Sequence, residues 1–385
     1  MTFQVDKEEG FALRRLYLGK SRRVVVKVGS AVLTGKDGLD QAVMKNLTRE
    51  ISFLIKSGKE VILVSSGAVA AGKKRLGLQI NRKLELKEKQ GAAAVGQSSL
   101  MRSYEDIFDR LGYKVAQVLL THDDLSNRNR YLNVRNTILT LLEWNIIPII
   151  NENDTVSVEE LRFGDNDTLG ALITNLIEAD LFICLTDVDG LYTGNPSLDI
   201  GARPVYTVAK VDKQVQDMAG YVVGALGTGG MQSKIQAARM VSARGGSSFI
   251  GSGGVEGIVE QLFACEPVGT FFLPQAEKMQ SRKHWIAYVL RPKGHLVLDK
   301  GACKALMQGG KSLLPSGILE VKGCFGVGAP VQCFDNQGNA IATGLSNYGS
   351  SDLEKIKGLK TGEIEKILGY KDSDEVIHRD NLVIL

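Results

Sequence analysis

A chain of 385 residues with 44% hydrophobic and 23% charged side chains has an ordinary globular composition and is long enough for more than one domain. Its formal net charge of +4 is too small at that length to imply a strongly basic nucleic-acid surface, and no apolar run is long enough to span a membrane. Five cysteines, odd in number and without a C-x-x-C pair, argue against a disulfide framework or a zinc site and for a reducing, cytoplasmic setting. The polar, acidic start from Met1 to Gly10 carries no signal-peptide pattern.

After a polar lead-in with scattered basic residues, Val24 to Val28 reads as the first strand, running into Gly29-Ser30-Ala31. Lys27 near the end of an apolar strand is costly unless its ammonium reaches a partner, and the glycine and serine that follow leave room for an anion. A helix around Leu47 to Lys56 ends at Ser57-Gly58, and a second strand, Glu60 to Val64, exits through Ser65-Ser66-Gly67. Gly67 to Lys73 has most of the P-loop spacing, but Lys74 stands where a hydroxyl is needed and the intervening residues read as helix. Gly310-Lys311-Ser312 is a second near match that lacks its first glycine.

Leu84 to Gln97 reads as helix, Val115 to Leu120 as a third strand, and Thr121 to Asn127 as its polar exit turn. His122 beside Asp123 and Asp124 has no second histidine near it, so a turn fits better than a metal site. A helix from Arg130 to Trp144 leads to the richest stretch, a strand at Ile147-Pro148-Ile149-Ile150 that ends in Asn151-Glu152-Asn153-Asp154. Phe163-Gly164-Asp165-Asn166-Asp167 then opens an apolar helix, Thr168 to Ala179. These amides and acids suit turns and helix caps, and equally the ligand crevice beyond the carboxyl ends of strands in an open α/β sheet. The strand Leu181 to Leu185 contains Cys184, read as a small core residue, and ends in Thr186-Asp187. Gly227-Thr228-Gly229-Gly230-Met231-Gln232-Ser233-Lys234 opens the helix Ile235 to Ala243, a natural cradle for phosphates, and Ser248 to Gly253 is the last strand of this part. The alternation predicts an α/β fold, an open, mainly parallel sheet sandwiched by helices.

Composition shifts near Phe272 to Arg282, and short strand-like runs follow: Ile286 to Leu290, His295 to Leu298, Gly317 to Val321, Pro330 to Phe334 and Ala340 to Gly344. They predict a small β-rich, barrel-like second domain. The expected division is an extension at 1–21, an α/β domain at 22–270, a linker at 271–284, the β-rich domain at 285–370 and a tail at 371–385.

No nucleophile–His pair stands out, which disfavours acyl transfer. Phosphoryl transfer from ATP fits two lysines among glycine turns, because it demands positioning and positive charge. Lys27 and Lys234 would neutralise the transferred group, with Asp167, and Asp165 beside it, orienting those lysines or the water on magnesium. A carboxylate acceptor, ionised at neutral pH, would need no general base.

Lys27-Val28-Gly29-Ser30, Val64-Ser65-Ser66-Gly67-Ala68, Ile150-Asn151-Glu152-Asn153-Asp154, Gly164-Asp165-Asn166-Asp167, Thr186-Asp187 and Gly227-Thr228-Gly229-Gly230-Met231 with Lys234 resemble, in order and spacing, the glutamate 5-kinases of the amino acid kinase family. The likeness runs from about residue 24 to the C-terminus. It implies ATP-dependent phosphorylation of the L-glutamate side-chain carboxylate to L-glutamyl 5-phosphate, the first step toward proline. It also implies that Lys27, Thr186, Asp187 and Thr228, Gly229, Gly230, Met231, Gln232, Ser233 and Lys234 contact ATP. Ser66, Gly67, Asp154 and Asn166 would hold glutamate, and Asp167 would organise the catalytic pair Lys27 and Lys234. Mg2+ is implied, held through ATP phosphates and water with no direct protein ligand assigned. Proline is implied as feedback inhibitor, and a homo-oligomer, dimer or tetramer, as the assembly. The region from Trp285 to Lys357 resembles a PUA domain, an RNA-binding module elsewhere, although the mixed charges here (Lys300 and Lys304 beside Asp299) do not support RNA binding. Ala31 departs from the family, which often has Ser there.

Overall fold

Val24 to Val28 lie in the middle of the first sheet, in β1 (Arg23–Val28), and are buried from both sides. After a short hairpin of β2 (Thr34–Gly35) and β3 (Gly38–Leu39) come β4 (Glu60–Ser65), β5 (Lys114–Leu120), β6 (Ile146–Glu152), β7 (Leu181–Thr186), β8 (Thr207–Val208), β9 (Ser247–Ser252) and β10 (Thr270–Phe272). Eight strands form one sheet in the order β5-β6-β4-β1-β7-β9-β10-β8. Every neighbouring pair is parallel except β9 with β10. Pro148 sits in β6, and the β4 ladder begins only at Ile149, just beyond the residue that has no N–H to offer. The strand order turns back at β1: the chain passes through β4 to the edge strand β5, fills the gap between them with β6, then crosses to the other flank of β1 as β7 and β9. That switch point is where an open α/β sheet leaves its crevice.

The computed structural model describes residues 6–35, 38–156, 165–196, 198–219, 230–275 and 279–385, and the chain divides into Met1–Lys278 and Met279–Leu385. In the first unit the helices are α1 (Lys7–Lys20), α2 (Ser30–Leu33), α3 (Gln41–Lys56), α4 (Ala68–Arg75), α5 (Leu86–Arg110), α6 (His122–Ser126), α7 (Arg128–Glu143), α8 (Asn166–Leu176), α9 (Lys213–Ala219), α10 (Met231–Ala243) and α11 (Ile258–Phe263). Alternation along β1 sends Val24, Val26 and Val28 into the core cluster with Met44, Leu47, Ile51 and Leu54 of α3 and Leu100, Tyr104 and Phe108 of α5. Val25 and Lys27 therefore face the opposite layer. There α8 lies so close that a side chain on Gly170 would meet the Phe182 ring at 2.6 Å and the Lys27 Cβ at 3.4 Å. Asn175 of α8 donates to the Met240 carbonyl of α10 at 3.1 Å, tying the two helices of that layer together.

Gly67 to Lys73 is helical, as its residues read, and not a phosphate loop: Gly67, at φ 106°, heads α4. Likewise Gly310 is the left-handed residue that ends a helix. Other elements differ from the sequence expectation. Thr121 to Asn127 folds as α6 rather than a turn, because Thr121 and Asp124 cap each other, with both Thr121 N and Oγ1 2.7 Å from Asp124 Oδ2. The segment set apart as an extension contains α1, whose Gly10, Arg14 and Leu18 are buried. The residues set apart as a linker begin inside β10.

In the second unit α12 (Ser281–His284) leads into a π-helical turn at Trp285–Val289 where a strand was expected. Its buried residues, Ile286 and Val289, are three apart, and an apolar run this short does not distinguish strand from helix. Then follow β11 (Gly294–Leu298), α13 (Lys300–Gly309), β12 (Ile318–Lys322), β13 (Pro330–Phe334), β14 (Ala340–Leu345), α14 (Ser350–Ile356), α15 (Ile364–Leu368) and β15 (Leu382–Ile384). The five strands form a sheet in the order β12-β11-β13-β14-β15, so residues expected as a tail supply an edge strand.

Arg14 anchors α1. Its guanidinium is fully buried, donates through Nη2 to the Val268 carbonyl at 2.9 Å, and lies 5.5 Å from the Phe11 and Phe249 rings and 5.9 Å from Phe271. Nε and Nη1 have no hydrogen-bond partner among the described residues, and burial lowers the pKa to about 10. Packing rather than charge should therefore carry its contribution. Arg14→Met is expected to unfold in urea within about 1 kcal/mol of the parent, whereas Arg14→Ala should lose about 2–5 kcal/mol to the void it leaves. Equal losses would mean that the charge itself is required.

Candidate active site

Two helix N-termini converge on the carboxyl end of β1. Asp165 caps α8, its Oδ1 accepting from Thr168 N at 2.8 Å, which places Asn166 and Asp167 in the first turn. Gly230 heads α10 and places Ser233 and Lys234 there. Asp167 is fully buried between two ammonium groups: Lys27 Nζ is 2.5 Å from Oδ1 and Lys234 Nζ is 3.1 Å from Oδ2. The Ser233 hydroxyl donates to Oδ2 at 2.8 Å and the Cys184 thiol to Oδ1 at 3.3 Å. Burial opposes ionisation of Asp167, but Lys27 and Lys234 outweigh it and bring its pKa down to about 2. Burial works against the Lys27 ammonium, yet the adjoining Asp167 carboxylate holds its pKa above the ordinary lysine value. Burial and the adjoining carboxylate push the Cys184 thiol well up, so it stays neutral and serves as a donor.

One carboxylate between two ammonium groups leaves a net positive charge in a dry site. Lys27 commits one of its three N–H donors to Asp167, and its Nζ makes no other hydrogen bond with the described residues. Gly29 beside it is bare, with Lys27 Nζ at 3.4 Å from where a Cβ would stand. Such a place favours an anion. On the β7 side, Thr186 donates to Asp187 Oδ1 at 3.0 Å at the strand's end, with Thr186 buried and Asp187 exposed.

On the β4 side, Asn166 Nδ2 donates to Ser66 Oγ at 2.7 Å and to Asn151 Oδ1 at 3.1 Å. Asn151 Nδ2 donates in turn to Gln97 Oε1 at 3.0 Å. Ser66, Gly67 and Asn166 thus meet at one corner, next to the lysine pair because Asn166 and Asp167 are neighbours on α8. Asp154 lies half-buried in the turn after β6. Gly230, Met231, Gln232 and Ser233 form the start of α10 with Lys234; Thr228 and Gly229, like Phe163 and Gly164, lie outside the described residues. Gln97 and the Cys184 contact were not picked out from the sequence, and Asn151 was read only as part of a motif. Asn151 could have been found as the first amide after a buried strand; Cys184 is recognisable only once β7 is set beside β1, where it is the register partner of Lys27.

Residues 22–252 match the family model described as "Amino acid kinase family", and residues 294–368 match "PUA domain". A glutamate 5-kinase of Desulfotalea psychrophila is 59% identical over 373 residues, covering 97% of this chain and 99% of the relative. The chain belongs to the glutamate 5-kinases. Members from Syntrophotalea carbinolica, 48% identical over 372 residues, and Geobacter sp. strain M21, 49% identical over 374, are each matched over 100% of their length and 97% of this chain.

Removing the carboxylate in Asp167→Asn strands two buried ammonium groups and should cost about 3–5 kcal/mol in urea unfolding near neutral pH. Because folding depresses the Asp167 pKa from 3.8 to about 2, its contribution is complete above pH 3.8 and is lost as the pH falls through about 2. The stability gap between parent and variant should therefore be flat from about pH 5 to 8 and narrow only below about pH 4. A gap that changes across neutral pH would contradict this assignment.

Proposed function

We propose that this glutamate 5-kinase transfers the γ-phosphoryl group of ATP to the side-chain carboxylate of L-glutamate, giving L-glutamyl 5-phosphate and ADP, the first step toward proline. The observation that carries the reading is the buried Lys27–Asp167–Lys234 arrangement beside the Ser66–Asn166 corner. The first can steady a phosphoryl group; the second offers polar groups to a small polar acceptor. A carboxylate oxygen forms the new bond to phosphorus while the bond to the β–γ bridging oxygen breaks, and ADP leaves with that electron pair. The acceptor is already ionised, so no side chain has to remove a proton. What the protein supplies is positive charge, order and a dry site.

In this reading Lys27 and Lys234 meet the oxygens of the transferred group, and Asp167 holds both lysines in place. Thr186, Asp187 and the segment from Thr228 to Lys234 bind the nucleotide, while Ser66, Gly67, Asp154 and Asn166 bind glutamate. Asp154, as a carboxylate, suits the α-ammonium. Mg2+ is proposed to arrive on the phosphates with most of its water, Asp165 being the nearby carboxylate able to accept from that water. When bound, the ion neutralises phosphate charge. Proline, which shares the α-carboxylate and α-amine of glutamate, is proposed as an inhibitor at or near that corner, a homo-oligomer as the assembly, and the cytoplasm as the location. Among the described residues no helix is long and apolar enough to cross a membrane. The match of residues 294–368 to the PUA domain keeps RNA among the partners proposed for the second unit, although Lys322, Lys355, Lys357 and Lys371 each pair with a nearby acid.

Coupled ADP-release assays should show magnesium-dependent turnover with L-glutamate and little with L-aspartate or N-acetylglutamate, whose amine carries no charge. Equal turnover of glutamate and N-acetylglutamate would overturn the assignment. Lys234→Ala is expected to lower kcat about 100- to 1000-fold while the protein stays folded by circular dichroism. Full turnover, or loss of the fold instead, would remove the lysine from this role.

A further inference from the structure

Beneath the Ser66–Asn166 corner lies a chain of three carboxamides whose polarity is fixed from one end. The Glu152 backbone N–H donates to Asn151 Oδ1 at 2.9 Å, and a backbone N–H can only donate. The Asn151 oxygen is therefore on that side, and its amide nitrogen points the other way, to Gln97 Oε1 at 3.0 Å. Because Asn151 presents oxygen to Asn166, the atom of Asn166 that faces it, 3.1 Å away, is the nitrogen. The same nitrogen donates to Ser66 Oγ at 2.7 Å, so both its N–H bonds are committed. The Asn166 Oδ1 takes no hydrogen bond from the described residues and is the polar atom left for a ligand.

Asn151 is 4% exposed, and Gln97 is the one partner of its amide nitrogen among the described residues. Without that acceptor the buried nitrogen is unsatisfied, and flipping the amide would only transfer the loss to the Glu152 N–H. Gln97 is well held for the task. At its neighbour Gly96, a Cβ would fall 1.8 Å from the Ala68 carbonyl oxygen, so the backbones of α4 and α5 touch directly behind Ser66 and Gly67. Two helical turns further along α5, the Tyr104 hydroxyl is 2.8 Å from Ser65 Oγ, whose own proton goes to the Ser66 carbonyl at 3.0 Å. One face of α5 thus braces the acceptor corner at two points.

We propose that Gln97 is a positioning residue for the acceptor site. By fixing the Asn151 carboxamide it keeps Asn166 turned with nitrogen to Ser66 and oxygen toward the substrate, ready to accept from the α-ammonium of an amino acid. An acylated amine has fewer protons to offer and no charge, so the orientation also favours free amino acids. This rests on the functional reading above and adds a determinant of acceptor binding that itself touches no substrate.

The test is steady-state kinetics on the full-length protein with glutamate and ATP varied separately. Gln97→Met keeps the length and removes the acceptor atom; it is expected to raise KM for glutamate about 10-fold, with kcat and KM for ATP within about 3-fold of the parent. Asn151→Ala should raise KM for glutamate as well, and adding Gln97→Met to it should change little further, because both act through the same amide. An unchanged KM for glutamate, a parallel rise in KM for ATP, or additive effects in the double variant would overturn the proposal. If the parent itself fails to turn over glutamate, the functional reading falls first; if the parent works and Gln97→Met behaves like it, only the positioning role falls.

Discussion

Asp167 has to be ionised, buried and in contact with two lysines at once, and most of the first unit can be understood as what makes this tolerable. A lone carboxylate in a protein interior would take up a proton, and a lone ammonium would lose one. Here Asp167 and Lys27 each favour the charged form of the other, with Lys234, Ser233 and Cys184 supplying further donors to the carboxylate. The residual positive charge is the useful product. It sits where two helix N-termini, those of α8 and α10, add their own partial positive charge.

The sheet topology brings these groups together from distant parts of the chain. Lys27 comes from the middle strand, Asp167 from the helix that crosses back over it, and Lys234 from the next helix in the same layer. Gly170 is the local device that allows the crossing to be so close, since any side chain there would collide with the Phe182 ring. Asn166 and Asp167, adjacent on α8, make different contacts: one bonds Ser66 beyond β4, the other pairs with the two lysines. A single helix start thereby sets the distance between the proposed acceptor corner and the proposed phosphoryl site.

Much of this was legible in the sequence, for identifiable reasons. Strands buried on both faces, such as Val24 to Val28, appear as continuous apolar runs, and a lysine inside one is conspicuous because it needs a partner. Polar strand exits at Ser65-Ser66, Asn151 to Asp154 and Thr186-Asp187 marked the carboxyl edge of the sheet. What escaped was information that exists only in three dimensions. Gln97 lies on a helix face like many other glutamines, and its role depends on how closely α4 and α5 approach. Cys184 looks like core until its register with Lys27 is known. The helix at Lys7–Lys20 was hidden because its strongest anchor, Arg14, is a residue type normally assigned to the surface. The strand expected at Ile286 to Leu290 failed for the opposite reason: a short apolar run carries too little periodicity to choose between strand and helix.

The central claim is that the Asp167 carboxylate holds two ammonium groups in place for the transferred phosphoryl group. The most direct measurement is kcat for Asp167→Asn at saturating ATP and glutamate, with folding verified independently. The account predicts a fall of at least about 100-fold, near 3 kcal/mol in the barrier. A folded Asp167→Asn protein that keeps kcat within about threefold of the parent would contradict it.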